Sequence, residues 1–493
     1  MSETKQEPSS SPPLHVVVFP WLAFGHMIPF LELSKRLARR GHAVTFVTSP
    51  RNAARLAAVP PELSPRIRIV TLDLPAIDGL PDGAESTADV PLEKVELLKT
   101  AFDRLAAPFA GLVAEACAAA AVDGGEAAGF SRRPDWIIVD FTHNWVWPIA
   151  EEHKIAAAMF LIFPVAFSAF VGPKPENEEH PRTTPEDFMA RPPWIPSPSA
   201  LSYRRHEAMA LAFVFQRNAS AVSDVDRVWQ VHRPSCRLVF HRSCPEAEPG
   251  LFELMTELVA KPFVPAGLLL PDDADADAQD AAAASDDDES LSHAMRWLDE
   301  QPRRSVVYVA LGTEAPVTAE HVRELALGLE RSGVRFLWAL RRPVGHAGAG
   351  ALLPEGFEAR VAGRGVVRAG WVPQVRVLAH GAVGAFLTHC GWGSTVESLF
   401  RFGHPLVMLP FIADQGLIAR TMAARGVGVE VRRNGDDGSF RGDDVAAAVR
   451  RVMVEEEGEA LARNTKEMQG VIGDRVKQER YVDELVEYLR RYK

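Results

Sequence analysis

The chain is predicted to be an α/β protein made of two doubly wound parallel sheets that face each other across a cleft. Three observations carry this. Short β-branched and apolar runs alternate with helical segments along the whole sequence, as parallel strands with crossover helices require. The alternation breaks once, at the acidic, alanine-rich stretch PDDADADAQDAAAASDDDES (271–290), and then restarts. Finally, 493 residues exceed what one hydrophobic core serves.

In order, the first half offers HVVVF (15–19), a loop, the helix IPFLELSKRLARRGH closed by Gly41, AVTFVT (43–48), RIRIVTL (66–72), WIIVD (136–140), MFLIF (159–163), LVFHR (238–242) and FVPAG (263–267). The second offers SVVYVAL (305–311), FLWAL (336–340), GVVRAG (365–370), VGAFLTH (383–389), PLVMLP (405–410) and GVEV (428–431). The expected divisions are an N-terminal domain over 1–270, a linker over 271–290 and a C-terminal domain over 291–473. An amphipathic helix over 474–493 presents Tyr481, Leu485, Tyr488 and Leu489 on one face and packs back on the first domain.

Composition narrows the function. A net charge of -11 without a dense Lys/Arg cluster disfavours nucleic acid and anionic membranes as partners. The four cysteines lack metal or redox spacing, and the polar start MSETKQEPSSSPP lacks a signal-peptide core. The expectation is therefore a cytoplasmic protein; a monomer is a separate expectation that these features do not carry. The uncharged run 155–171 is short for a membrane span and contains Pro164. It reads better as a buried strand, a turn and a helix.

In open α/β sheets, ligands bind beyond the carboxyl ends of the strands. His26 follows the first strand, where a neutral imidazole can take a proton. A strand-end histidine also serves as a simple hydrogen-bonded surface residue. Asp140 ends the fourth strand and can orient His26, or cap the next helix. His143 is a rival partner or base. There is no G-x-G-x-x-G after the first strand and no acidic residue after the second, which disfavours a dinucleotide oxidoreductase. In the second half, Gly312 and Thr313, Trp371 and Gln374, the turn HCGWGS (389–394) with Glu397, and the pair Asp414–Gln415 all follow strands. Backbone N–H groups of a small-residue turn at a helix start suit an anion. A tryptophan face suits a nucleobase, though core tryptophans are as common. Adjacent carboxylate and carboxamide suit neighbouring sugar hydroxyls.

The run Trp371-Val-Pro-Gln374 … Leu378 … His380 … Phe386 … His389-Cys-Gly-Trp-Gly-Ser394-Thr … Glu397, followed by Pro405, Pro410 and Asp414-Gln415, resembles the signature box of plant family-1 UDP-glycosyltransferases. The resemblance extends over nearly the whole chain. The stretches FPWLAFGHMIPFLELSKRLA and GLPDGAESTADVP are similar to the branch that adds a sugar to an existing glycoside, and within it to cereal enzymes acting on steviol glycosides. It implies a GT-B fold, with UDP-glucose as co-substrate and no cofactor or metal; transfer from UDP-rhamnose or UDP-xylose, transfer to a bare aglycone, and nucleotide-sugar binding without catalysis are the other readings the box leaves open. It implies that Trp371 stacks on uracil, that the Val372 backbone meets its edge and that Gln374 and Glu397 hold the ribose. His389, Ser394 and Thr313, with the backbone around Gly391 and Gly393, would contact the diphosphate. Trp392, Asp414 and Gln415 would bind the sugar, with His26 as base and Asp140 as its partner.

This sequence departs from the family pattern twice. Gly393 stands where the family usually has asparagine. The box is also one residue longer between Glu397 and Pro405, to be absorbed as a π-bulge or in the turn before His404. The acceptor pocket is expected from FTHNWVW and 163–215, with His143, Trp145, Phe163, Phe167, Met209 and Phe213 among its residues. An apolar cavity of that kind suits a terpenoid or flavonoid body.

Overall fold

The computed structural model describes residues 12–122, 129–271, 288–312, 315–341, 352–370 and 372–493. Seven strands form one sheet: β1 His15–Phe19, β2 Ala43–Thr48, β3 Ile67–Thr71, β4 Trp136–Val139, β5 Ala156–Leu161, β6 Cys236–His241 and β7 Phe263–Pro265. Six form another: β8 Val306–Ala310, β9 Arg335–Leu340, β10 Gly365–Ala369, β11 Val383–Thr388, β12 Leu406–Met408 and β13 Gly428–Glu430. The orders are β3-β2-β1-β4-β5-β6-β7 and β10-β9-β8-β11-β12-β13. All the pairings within each sheet are parallel.

Both orders reverse direction once, between β1 and β4 and between β8 and β11. The reversal sends the two connecting helices to opposite faces and leaves a crevice between the strand ends, where open α/β sheets bind ligands. Phe19 pairs with Val139 and Ala310 with Thr388, so in each sheet the two strands flanking the crevice end level. The residues just beyond those two strand ends are thereby brought together.

The run 155–171 folds as β5 and the helix Val165–Val171 around Pro164. No helix among the described residues is long and apolar enough to cross a membrane. β5 starts earlier than its β-branched and aromatic residues suggest, at Ala156 rather than Met159. Three buried alanines pass beside β4, with Ala156 opposite Trp136. Small residues fit there although their strand propensity is low.

The first helix spans Phe24–Arg39, with Pro29 inside it. A proline near a helix start reads as its first residue, but here the helix begins earlier, and His26 stands in its first turn. The extra residue of the signature box is absorbed within the helix: Trp392–Thr395 is α-helical and Val396–Arg401 is a π-helix. Of the expected linker 271–290, 272–287 lie outside the described residues, and Asp288 begins the helix Asp288–Asp299. The last helix, Arg475–Arg491, buries Val482, Leu485, Val486 and Leu489 in one cluster with β1, β4 and the first helix. The Trp136 indole N–H donates to the Leu489 carbonyl at 2.8 Å.

Candidate active site

At the first reversal, His26 Nδ1 lies 2.6 Å from Asp140 Oδ2. The aspartate is wholly buried, whereas 14% of the histidine side chain stays exposed. Asp140 Oδ2 also accepts the Trp21 N–H at 3.2 Å, and Oδ1 accepts that of Phe141 at 2.8 Å. A carboxylate fixed by three donors orients the ring so that Nδ1 carries the proton, which leaves Nε2 as the basic atom.

His143, the rival, is fully buried among Phe19, Phe102 and Trp145. Burial pushes its pKa down to about 3, and its Nδ1 faces the Asp140 carbonyl at 3.2 Å. Trp145 is half-buried in the same aromatic cluster. Phe141, which sequence reasoning did not single out, stands between the base and the apolar wall. Its ring is 5.8 Å from that of His26 and 6.3 Å from Phe163, which in turn lies 5.2 Å from Phe167.

The helix carrying Phe167 is held by Glu248, whose carboxylate accepts the Val165 and Ala166 N–H groups at 2.9 and 2.7 Å and the Ser243 hydroxyl at 2.5 Å. Burial raises the Glu248 pKa against these bonds. Nothing in the local sequence announces so distant a cap. Met209 and Phe213 sit apart from this wall: they are 47% and 70% exposed on the helix Arg205–Val214, which buries Glu207, Ala208 and Leu211 instead. That helix docks on the second half through Glu207–Arg420 at 2.8 Å, beside Tyr203, whose hydroxyl donates to the Ala413 carbonyl at 2.9 Å.

At the second reversal, the His389 ring packs against two glycines. A Cβ on Gly312 would come within 2.5 Å of its Cε1, and one on Gly391 within 2.5 Å of its Nε2. Gly312 also has φ +66, which favours glycine. Burial, then the nearby Arg341 charge, lowers the His389 pKa to about 4. The ring is therefore neutral at pH 7 and able to donate one N–H. Its Nδ1 is buried and has no hydrogen-bond partner among the described residues, a state that a ligand oxygen would relieve.

The helix that begins at Trp392 comes directly after this turn. Its Trp392 indole turns away, donating to the Arg242 carbonyl at 2.7 Å, so the Trp392 backbone is what faces the turn. The Gln374 amide donates to Glu397 at 2.7 Å and lies 3.4 Å from the Ser394 hydroxyl. Burial raises the Glu397 pKa, while Gln374 and the Arg242 and Arg401 charges oppose it. Val372 is buried. Thr313 and Trp371 lie outside the described residues. Asp414 precedes the helix Gln415–Ala424. The Gln415 side-chain carbonyl is taken by the Phe411 and Ile412 N–H groups, at 2.9 and 3.1 Å, which leaves its NH₂ for a ligand. Among the described residues, the one His/Cys/Asp/Glu cluster with metal-like spacing is Glu176, Glu179 and His180, at the end of the helix Lys174–Glu179.

The first reversal thus offers a carboxylate-oriented imidazole beside an apolar wall, and the second a glycine-lined cradle with a neutral imidazole and helix N–H groups. Residues 269–465 match the family model described as "UDP-glucoronosyl and UDP-glucosyl transferase". The chain is 42% identical to UDP-glycosyltransferase 91C1 of Arabidopsis thaliana, over 97% of this chain and 96% of that one. It is 40% identical to UDP-glycosyltransferase 91D1 of Stevia rebaudiana (97% and 92%) and 36% identical to the soyasaponin III rhamnosyltransferase of Glycine max (98% and 97%). Its fold is similar to that of a Polygonum tinctorium UDP-glucosyltransferase capable of glucosylating indoxyl, with a TM-score of 0.72 at 25% identity over 98% of this chain and 100% of that one. The chain is a GT-B transferase and belongs to the plant UDP-glycosyltransferases.

Proposed function

We propose that the protein is an inverting UDP-glucose-dependent glucosyltransferase that adds a β-linked glucose, through a 1→2 linkage, to a sugar already carried by a small-molecule glycoside of the diterpene (steviol) or flavonoid kind. The observation that carries this reading is the His26–Asp140 pair at 2.6 Å, facing the crevice at the carboxyl ends of β1 and β4. His26 Nε2 takes the proton of an acceptor hydroxyl. The freed oxygen attacks the anomeric carbon as its bond to UDP breaks, and attack from the face opposite UDP turns an α-linked donor into a β-glycoside. Asp140 stabilises the imidazolium. The cradle of His389, Ser394, Gly391 and Gly393 receives the charge that builds on the diphosphate, together with Thr313. Trp371 and Val372 take the uracil, Gln374 and Glu397 the ribose, and Asp414, Gln415 and the Trp392 backbone the sugar.

In this reading the sheet of β1–β7 binds the acceptor and that of β8–β13 the donor, and Phe141, Phe163 and Phe167 form the wall under the acceptor's apolar body. The soyasaponin relative favours a second reading, transfer of rhamnose or another sugar to the same class of acceptor. A cytosolic setting is in keeping with four cysteines that are all free. The test is a mass-spectrometric turnover assay with UDP-glucose, UDP-rhamnose and UDP-xylose. Steviol and flavonoid glycosides are run beside their aglycones, with His26→Ala as control. A hexose gained on glycosides only, and lost in the control, is the expected result. Transfer to aglycones alone, or from another donor alone, would overturn it.

A further inference from the structure

The asparagine of the family pattern is missing at Gly393, and the structure shows what occupies the space beside it. A Cβ built on Gly393 would lie 3.4 Å from Nη1 of Arg242. Arg242 belongs to the other half of the molecule, immediately after β6, and is 4% exposed. Its backbone carbonyl accepts the Trp392 indole N–H at 2.7 Å, and its Nε donates to the Leu268 carbonyl at 2.9 Å. These two bonds fix the residue against the cradle turn. Among the described residues, Nε is the only guanidinium nitrogen with a hydrogen-bond partner, and no carboxylate stands within ion-pair distance. Glu397, Glu32 and Arg36 are the charges that act on it. Burial lowers its pKa to about 10, so it remains a cation at neutral pH. The Nη nitrogens are not among the buried polar atoms that lack a partner, so the largely buried side chain presents its open donors to the crevice, where an anion can pair with the cation.

We propose that Arg242 binds the diphosphate of the donor, supplying from the first half of the chain the hydrogen-bond donor to phosphate that the resemblance implies for an asparagine at position 393. This rests on the donor-site reading above. The Nη donors supply charge-assisted hydrogen bonds where negative charge accumulates as UDP departs. Gly393 then leaves room beside the Arg242 guanidinium: a Cβ there would stand in contact with Nη1 at 3.4 Å, and a longer side chain would compete for the same space. The donor is also held from both halves at once, so its binding favours the arrangement in which the acceptor base faces the sugar.

The test is calorimetric titration of uridine and UDP into the full chain and into R242Q, R242K and R242Q/G393N. Wild type should bind UDP more tightly than uridine; failure there would sink the donor-site reading itself. R242Q is expected to weaken UDP by about 10- to 100-fold, the range of a hydrogen bond to a charged group, and to leave uridine within about twofold. Restoring asparagine in R242Q/G393N should recover part of the loss, whereas G393N alone should not tighten UDP. If R242Q does not fold, R242K keeps the charge on a shorter stem without the planar fork and should still lose UDP affinity selectively. Equal UDP affinity in the variant and wild type would overturn the role of Arg242 while leaving the donor site standing. Equal losses for uridine and UDP would reduce it to a strut between the halves.

Discussion

Each half places a histidine at its reversal, on the near strand in the first half and on the far strand in the second, and gives it opposite surroundings. His26 follows β1 at the β1/β4 reversal, and His389 follows β11 at the β8/β11 reversal. His26 is bonded to a buried carboxylate and reaches the crevice. His389 lies between glycine backbones, has Arg341 rather than a carboxylate for its charged neighbour, and is held neutral. An imidazole beside a carboxylate is built to become charged; one beside a guanidinium is built not to. Topology thus supplies a site at each reversal; burial first, and then the charged neighbour, keeps His389 a neutral donor, while the buried carboxylate supports His26 as proton acceptor.

The comparison breaks most severely if the carboxylate is removed. Asp140→Asn keeps the shape but removes the charge that stabilises imidazolium. We expect kcat to fall about 10²- to 10⁴-fold, the range of a positioned general base, with UDP affinity unchanged. Adding His26→Ala should cost little more, since the two act as one unit. Steady-state kinetics of the single and double variants checks this, and additive losses would show that the pair is not a unit.

The second histidine is sharpened through its glycines. Gly312→Ala places a methyl 2.5 Å from the ring at φ +66. Strain and displacement of His389 are expected to cost about 1–3 kcal/mol, read as weaker UDP binding with the acceptor KM unmoved. The same burial makes a pH prediction. His389 and His404 are depressed to about 4, and His143 and His241 to about 3, all by burial. Unfolding lets each return to about 6.5, so the unfolded state binds more protons below that pH. The stability they contribute is present above about pH 6.5 and is lost as pH falls toward 4. Melting temperature should drop over that window, less steeply in His389→Gln; a slope unchanged in that variant would show that His389 is not one of the groups taking up protons.

Nearly all of this frame was legible in the sequence, because buried parallel strands are continuous apolar runs. Every strand corresponds to a segment that the apolar pattern predicts, and β5 differs only because alanines carry little strand signal. The residues that come after strands were legible for the same reason, as His26, Asp140 and His389 show. What escaped depends on tertiary approach. Arg242 ends an apolar run as plainly as Asp140 does, but its value lies in a glycine far along the chain. Glu248 caps a helix from a distant loop. Met209 and Phe213 illustrate the converse. Their aromatic and thioether side chains suggested a pocket, yet the helix turns its alanines and Leu211 inward and leaves them exposed. A mixed helix face cannot be assigned without knowing what it docks on, and here the helix sets Ala208, Leu211 and Ala212 into the apolar core and Glu207 against Arg420.

The smallest expected effect comes from the glycine of the first reversal. Gly25 lies in the first turn of the helix Phe24–Arg39, exposed, and a Cβ there would meet nothing within 4 Å. It has no positive φ to maintain, so alanine should raise stability by up to about 1 kcal/mol, the difference in helix propensity. Gly25 also adjoins the base, and in the proposed reading an acceptor approaches Nε2 past it. Gly25→Ala is therefore expected to raise the acceptor KM a few-fold while the UDP-glucose KM stays constant, the mirror image of Gly312→Ala. Thermal melting and two-substrate kinetics on the two alanine variants would separate the halves. If both shift the same KM, acceptor and donor do not divide between the two reversals, and the opposite surroundings of the two histidines would need another explanation.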